Sequence, residues 1–191
     1  MIVFADESGF SQRPSVRRTW GPKGQTPVLD EHVTWNRFST IGALGWHRKR
    51  KQVHLFLSLR PHAVKADDIV GFLRSLRRPV RGPVILIWDN LPVHRSRVVR
   101  EYLQAQRKWL RVERLPAYAP ELNPLEDVWA NLESRELANF VPDDMDQLQG
   151  QITKGARRIR RHSELLWGFL AHAQLLSDRE IKMIPHLYKT Q

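Results

Sequence analysis

Cysteine is absent from the 191 residues, which excludes disulfides, thiolate zinc sites and cysteine nucleophiles together and is compatible with a reducing cytoplasm. Acidic residues are scarce beside basic ones, 20 Asp plus Glu against 31 Lys plus Arg, giving a formal charge of +11. That imbalance points to a polyanionic partner, nucleic acid being the commonest. A membrane surface, a ribosome or plain solubility would use the same charge. Long hydrophobic runs are also missing. The longest, Leu165 to Leu176, is broken by His172 and Gln174 and is too short to span a bilayer. No basic segment precedes the apolar start Ile2 to Ala5, so no export signal is expected. These absences predict a soluble cytoplasmic protein with no membrane partner. There is no Gly-rich phosphate loop, no Gly-x-Ser-x-Gly elbow and no close His pair with zinc-ligand spacing. Nucleotide-driven motors, Ser hydrolases and zinc sites therefore lose ground.

What is present is a chain with 41% hydrophobic residues, enough for one well-buried domain and hardly for two. No internal repeat or low-complexity segment interrupts it. Ile2 to Ala5 reads as a short buried strand closed by Asp6. Arg37 to Trp46 and Gln52 to Leu59 read as two strands joined through His47-Arg48-Lys49-Arg50-Lys51. From Lys65 the period becomes helical, with Ile69, Val70, Leu73 and Leu76 on one side. Val84 to Trp88 is a continuous apolar run, as in a central strand covered on both faces, and it stops at Asp89. A basic helix over roughly Val93 to Lys108, a strand around Leu110 to Val112 and further helices complete a mixed-sheet α/β pattern.

Asp6 and Asp89 thus stand at predicted strand ends, where open α/β sheets present functional side chains. Taken singly, either reads better as a turn cap. Glu126 has a sharper context, Tyr118-Ala119-Pro120-Glu121-Leu122-Asn123-Pro124-Leu125-Glu126-Asp127-Val128-Trp129. Asn123 suits an N-cap and Pro124 the first helical position. Asn-x-x-Glu is also a capping-box pattern in which the Glu only satisfies backbone donors. The same geometry lets Glu126 point toward Asp6 and Asp89. Three converging carboxylates repel, about 4 kcal/mol for a pair ~4 Å apart at an effective dielectric of ~20. Oxygen-only ligands suit hard cations such as Mg²⁺ or Mn²⁺.

Asp6-Glu7-Ser8, then Asp89-Asn90 followed by His94, then Asn123-Pro124-Leu125-Glu126 with Trp129, resembles the catalytic domain of DDE-type transposases. The resemblance is to the bacterial insertion-sequence branch of the mariner superfamily, and it covers Met1 to about Asn139. Thirty-six residues lie between Asp89 and Glu126, close to the spacing in that family. It implies a ribonuclease H-like mixed sheet flanked by helices. It implies metal-dependent DNA strand cleavage and strand transfer, with Asp6, Asp89 and Glu126 as catalytic residues holding Mg²⁺ or Mn²⁺, two ions in all. His94 would orient Asp89 or contact DNA, or be an ordinary helix-start residue. Glu7 falls on the opposite face of its strand from Asp6 and stays outside the expected site.

Residues 1–191 are expected to form a single catalytic domain without the helix-turn-helix part that family members carry ahead of it. A separately encoded part would then supply end recognition. The implied partners are double-stranded DNA, as transposon ends and target, and a second copy of the chain. The implied location is the nucleoid. Phosphate contacts are expected from Arg48 to Lys51, from Arg95, Arg97 and Arg100, and from Lys154, Arg157, Arg158, Arg160 and Arg161, at least one of these groups being a solvated face. Trp35 and Trp46 would stack on bases or pack in the core. Two other readings remain: another ribonuclease H-like nuclease, and a non-catalytic DNA-binding remnant of a transposase.

Overall fold

Ile2 begins a strand that the whole molecule is arranged around. In the computed structural model, which describes residues 1–30, 36–116, 119–177 and 180–181, the elements follow one another as below. The strands are β1 (Ile2–Ser11), β2 (Arg37–His47) and β3 (Gln52–Arg60), then β4 (Val84–Trp88) and β5 (Leu110–Arg114). The helices are α1 (Ala66–Arg77), α2 (Arg97–Ala105), α3 (Pro124–Arg135), α4 (Met145–Arg161) and α5 (Ser163–His172). Trp35 and Tyr118 lie outside the described residues. No described helix is long and apolar enough to cross a membrane.

The strand order is β3-β2-β1-β4-β5. β1, β2 and β3 are antiparallel, whereas β4 and β5 run parallel to β1. The sheet is mixed, as the sequence pattern predicts, because α1 and α2 provide the crossovers that parallel strands need. Alternation along β1 divides it between two cores. Phe4 and Phe10 face α3, α4 and α5, with Leu125, Val128, Trp129, Leu132, Ile152 and Ile159. Val3 and Ala5 face α1 and α2, with Ile69, Leu73, Leu76 and Val99.

Three expectations change here. β1 does not stop at Ala5 but runs to Ser11, because β2 goes on pairing with it, Asp6 opposite Gly42 and Ser11 opposite Arg37. β4 lies inside the sheet but is not covered on both faces: Val84, Leu86 and Trp88 are buried while Ile85 is 40% exposed. The reason is lateral. α3, α4 and α5 pack over β1, β2 and β3, leaving the neighbouring part of that face open. The expected basic helix from Val93 is likewise split, into a 3₁₀ turn over Pro92–Arg95 and α2, with Ser96 between them capping α2 through Val99 N–H.

Candidate active site

β1, β4 and β5 are parallel, so their C-terminal ends share one edge, the usual place for a site in such a sheet. Phe4 pairs with Ile87; two residues further on, the same register sets Asp6 level with Asp89. β4 has ended there while β1 continues along β2, so Asp6 flanks a gap in the sheet. The sequence placed Asp6 at a strand end; it stands mid-strand, and the strand that ends beside it is β4.

Glu126 comes to the same gap from the N-terminus of α3. Asn123 caps that helix, its Oδ1 accepting from Leu125 N–H at 3.2 Å, and Pro124 opens it. The reciprocal half of a capping box is not formed, because Asn123 N–H donates to the carbonyl of Pro120 instead. The Glu126 side chain lines a cavity of about 220 Å³ with Asp6, Asp89, Asn90, Leu115, Pro116, Ala119, Pro120 and Asn123.

Burial first, then the charges of Glu126 and Glu7, push the Asp6 pKa up to about 7, against the opposing hydrogen bond from Trp129. That bond runs from Trp129 Nε1–H to Asp6 Oδ2 at 2.9 Å. Glu126 is also raised, by partial burial and then by Asp127 and Glu133. Asp6 therefore tends to hold a proton where a cation would serve instead. With oxygen donors alone, the trio fits a hard divalent ion.

Glu7 points to the other face and meets His94 there. His94 is 1% exposed, its ring stacked on Trp88 with centroids 4.1 Å apart. Its Nε2 pairs with Glu7 Oε1 at 3.0 Å and its Nδ1 with Asp89 Oδ1 at 2.8 Å. Burial lowers the imidazole pKa, but the Glu7 hydrogen bond and the charges of Glu7 and Asp89 outweigh it and leave it raised. Asp89 Oδ1 also accepts from Leu91 N–H at 3.0 Å. Among the described residues, Glu7, Asp89 and His94 are the group whose ligand atoms lie within 4.8 Å of one another. The two ring nitrogens bind different carboxylates, so the imidazole bridges Glu7 and Asp89.

The profile of the family described as "DDE superfamily endonuclease" matches residues 1–149. The chain belongs to this family. Among solved structures, a Mos1 mariner paired-end complex with Mn shares 21% identity at a TM-score of 0.64, covering 100% of this chain and 56% of that one. A Mos1 paired-end complex with the left transposon end shares 20% identity at 0.58, covering 88% and 55%. The intasome of simian T-cell lymphotropic virus shares 12% identity at 0.53, covering 83% and 47%. At these identities the likeness is one of fold, the ribonuclease H-like sheet. The chain spans a little over half of the length of the Mos1 chains. A search of curated proteins finds no match.

In this DDE endonuclease domain, then, Asp6, Asp89 and Glu126 line one cavity. At 1% exposure His94 does not reach DNA, and its ring contacts Glu7 and Asp89 instead. Glu7 is what sequence reasoning missed. Strand alternation placed it correctly on the opposite face, but a residue on that face still reaches Asp89 through His94. The spacing of Asp89 and His94 was the available signal, since a His one turn away needs a partner once buried.

The basic clusters divide in the same way. Arg48, Lys49, Arg50 and Lys51 are exposed at the β2–β3 turn, Arg48 pairing with Glu180 at 2.7 Å. Arg95, Arg97 and Arg100 are exposed on the α2 side. On α4, Arg158 is tied to Glu136 and Asn131, and Arg160 Nε–H donates to the Leu55 carbonyl at 2.9 Å. Arg158 is scaffold; Arg160, despite that bond, stays exposed together with Lys154, Arg157 and Arg161. Trp46 is buried at 6% exposure and belongs to the core.

Proposed function

We propose that this domain is the catalytic part of a transposase, cutting DNA strands and joining the freed ends to new DNA, with Asp6, Asp89 and Glu126 as its catalytic residues. The observation that carries the proposal is that all three carboxylates, from β1, the end of β4 and the start of α3, line one cavity at the sheet edge. Family membership supports the same chemistry.

In each reaction one P–O bond forms at phosphorus as another breaks, by hydrolysis in cleavage and by ester exchange in joining. In cleavage, water attacks phosphorus and the 3′ oxygen leaves, taking up a proton as a 3′ hydroxyl. In joining, that hydroxyl attacks a phosphodiester of the target and displaces its 3′ oxygen. Asp6, Asp89 and Glu126 would hold Mg²⁺ or Mn²⁺, two ions in the fuller reading, and the Mos1 complex with Mn supports that choice of metal. When bound, such ions sharpen the attacking oxygen and stabilise the leaving one. His94 keeps Asp89 in place from behind, and Trp129 does so for Asp6. Leu115, Pro116, Ala119 and Pro120 form the apolar part of the cavity wall.

The partner is double-stranded DNA, transposon ends and target, held through phosphates by the exposed basic groups. The motif series supports the bacterial insertion-sequence branch, and with it action at the nucleoid as a homodimer. Residues 1–191 would act as one catalytic unit.

A cleavage assay on labelled transposon-end DNA in Mg²⁺ or Mn²⁺, with a helix-turn-helix part added, tests this. Asp89→Asn should lower cutting roughly a thousandfold or more while DNA binding persists. A variant that still cuts within about tenfold of the parent contradicts the mechanism.

A further inference from the structure

Trp129 does two things that a core tryptophan need not do. Its ring fills the notch that Gly42 leaves on β2: a Cβ there would lie 2.4 Å from Trp129 Cη2 and 2.8 Å from Cζ2. Its Nε1–H donates to Asp6 Oδ2 at 2.9 Å. Gly42 is the cross-strand partner of Asp6, so one side chain touches both members of that pair. Glu126 stands on the same helix, three residues earlier and so about one turn away. Two other indoles, Trp88 and Trp109, bury Nε1 with no protein partner. Trp129 instead aims its N–H at a carboxylate of the cavity.

We propose that Trp129 is a positioning residue for the cation site: its N–H holds one oxygen of Asp6 and leaves Oδ1 for the cation, while its ring, keyed against Gly42, sets how far Glu126 stands from Asp6. The inference rests on the reading of Asp6 and Glu126 as cation ligands. Hydrogen-bond partners of metal ligands fix ligand orientation, and losing one typically costs 10- to 100-fold in metal affinity or activity.

The N–H can be removed without changing shape by placing 3-benzothienylalanine at position 129 of the full chain through suppression. Trp129→Phe and Asp6→Asn accompany it. Mn²⁺ affinity by calorimetry, the melting point, and the indole resonances of ¹⁵N-tryptophan-labelled protein are the readouts. The benzothienyl variant should melt as the parent does yet bind Mn²⁺ about 10- to 100-fold more weakly. Trp129→Phe should bind as weakly and also melt lower. In the parent, the Trp129 resonance, assigned by its loss in Trp129→Phe, should broaden with Mn²⁺ before any other indole. A benzothienyl variant that binds Mn²⁺ like the parent, or a Trp129 resonance indifferent to Mn²⁺, overturns the proposal. If Asp6→Asn leaves Mn²⁺ affinity unchanged, the cation reading itself fails, and the role of Trp129 falls with it.

Discussion

Asp6 stands where burial, two nearby acids and an indole N–H all act on one carboxyl, and its pKa of about 7 has a consequence for the fold. An acid raised above its unfolded value binds its proton more tightly when folded, so ionising it costs stability. Without metal, that stability is present below pH ~4 and is lost as pH rises toward 7, by at most about 4 kcal/mol at 1.36 kcal/mol per pH unit. Denaturation midpoints in chelator should therefore fall between pH 4 and 7. Asp6→Asn should flatten the fall, as should saturating Mg²⁺. A parent chain whose midpoint rises steadily over that range would show that Asp6 is not strained. Glu7 and His94 give a second prediction at this scale. Glu7→Gln removes a carboxylate that pairs with the buried imidazole and raises its pKa, so His94 should titrate at lower pH by NMR. Cleavage should fall about 10- to 100-fold with DNA affinity kept. Unchanged cleavage would separate Glu7 from the site.

Among the elements, α3 brings Asn123, Glu126 and Trp129 to the site within two turns. Gly42→Ala should force Trp129 and α3 off β2, costing about 1–3 kcal/mol as overpacking does. Mn²⁺ affinity should fall as well, because the helix carries Glu126. Chemical denaturation together with metal titration checks both, and a variant of parental stability would mean that the notch is roomier than the 2.4 Å approach implies. Local pattern made much of this legible. The Asn123–Pro124 start of α3, the helical stripe of α1 and the β2–β3 hairpin are each written in neighbouring residues. What failed was lateral. Val84 to Trp88 reads as covered on both faces because apolar residues look alike whether or not a helix lies above, and Ile85 is exposed only because α3 to α5 sit over β1 to β3. Asp6 reads as a strand end because strand-breaking signals are local, while β2, which extends β1 to Ser11, is remote in sequence. The three acids were legible as candidates through their order and spacing. The Glu7–His94 bridge was not, since contacts between residues 87 apart leave no trace in local pattern.

At the scale of the molecule, the charge of +11 becomes selective once the α4 arginines are sorted. Affinity for duplex DNA should fall steeply with salt, log K dropping by ~0.9 for each phosphate neutralised. Replacing Lys154, Arg157 and Arg161 with Ala should flatten that slope without loss of fold. Arg158→Ala should destabilise the chain by leaving Glu136 unpaired. An unchanged slope assigns the exposed face of α4 to solvent. The central claim, that Asp6, Asp89 and Glu126 together hold divalent cations, is tested most directly by the melting point of the isolated chain with and without Mg²⁺. At ~10 mM Mg²⁺ and a millimolar Kd, binding to the folded state adds about 1.4 kcal/mol, a rise of roughly 3–6 °C for a domain of this size. That rise is expected in the parent, beyond a matched monovalent-salt control, with a much smaller one in Asp6→Asn, Asp89→Asn and Glu126→Gln; Asp6→Asn should also melt slightly higher than the parent in chelator. Equal responses in parent and variants would contradict it and leave a DNA-binding remnant as the better description.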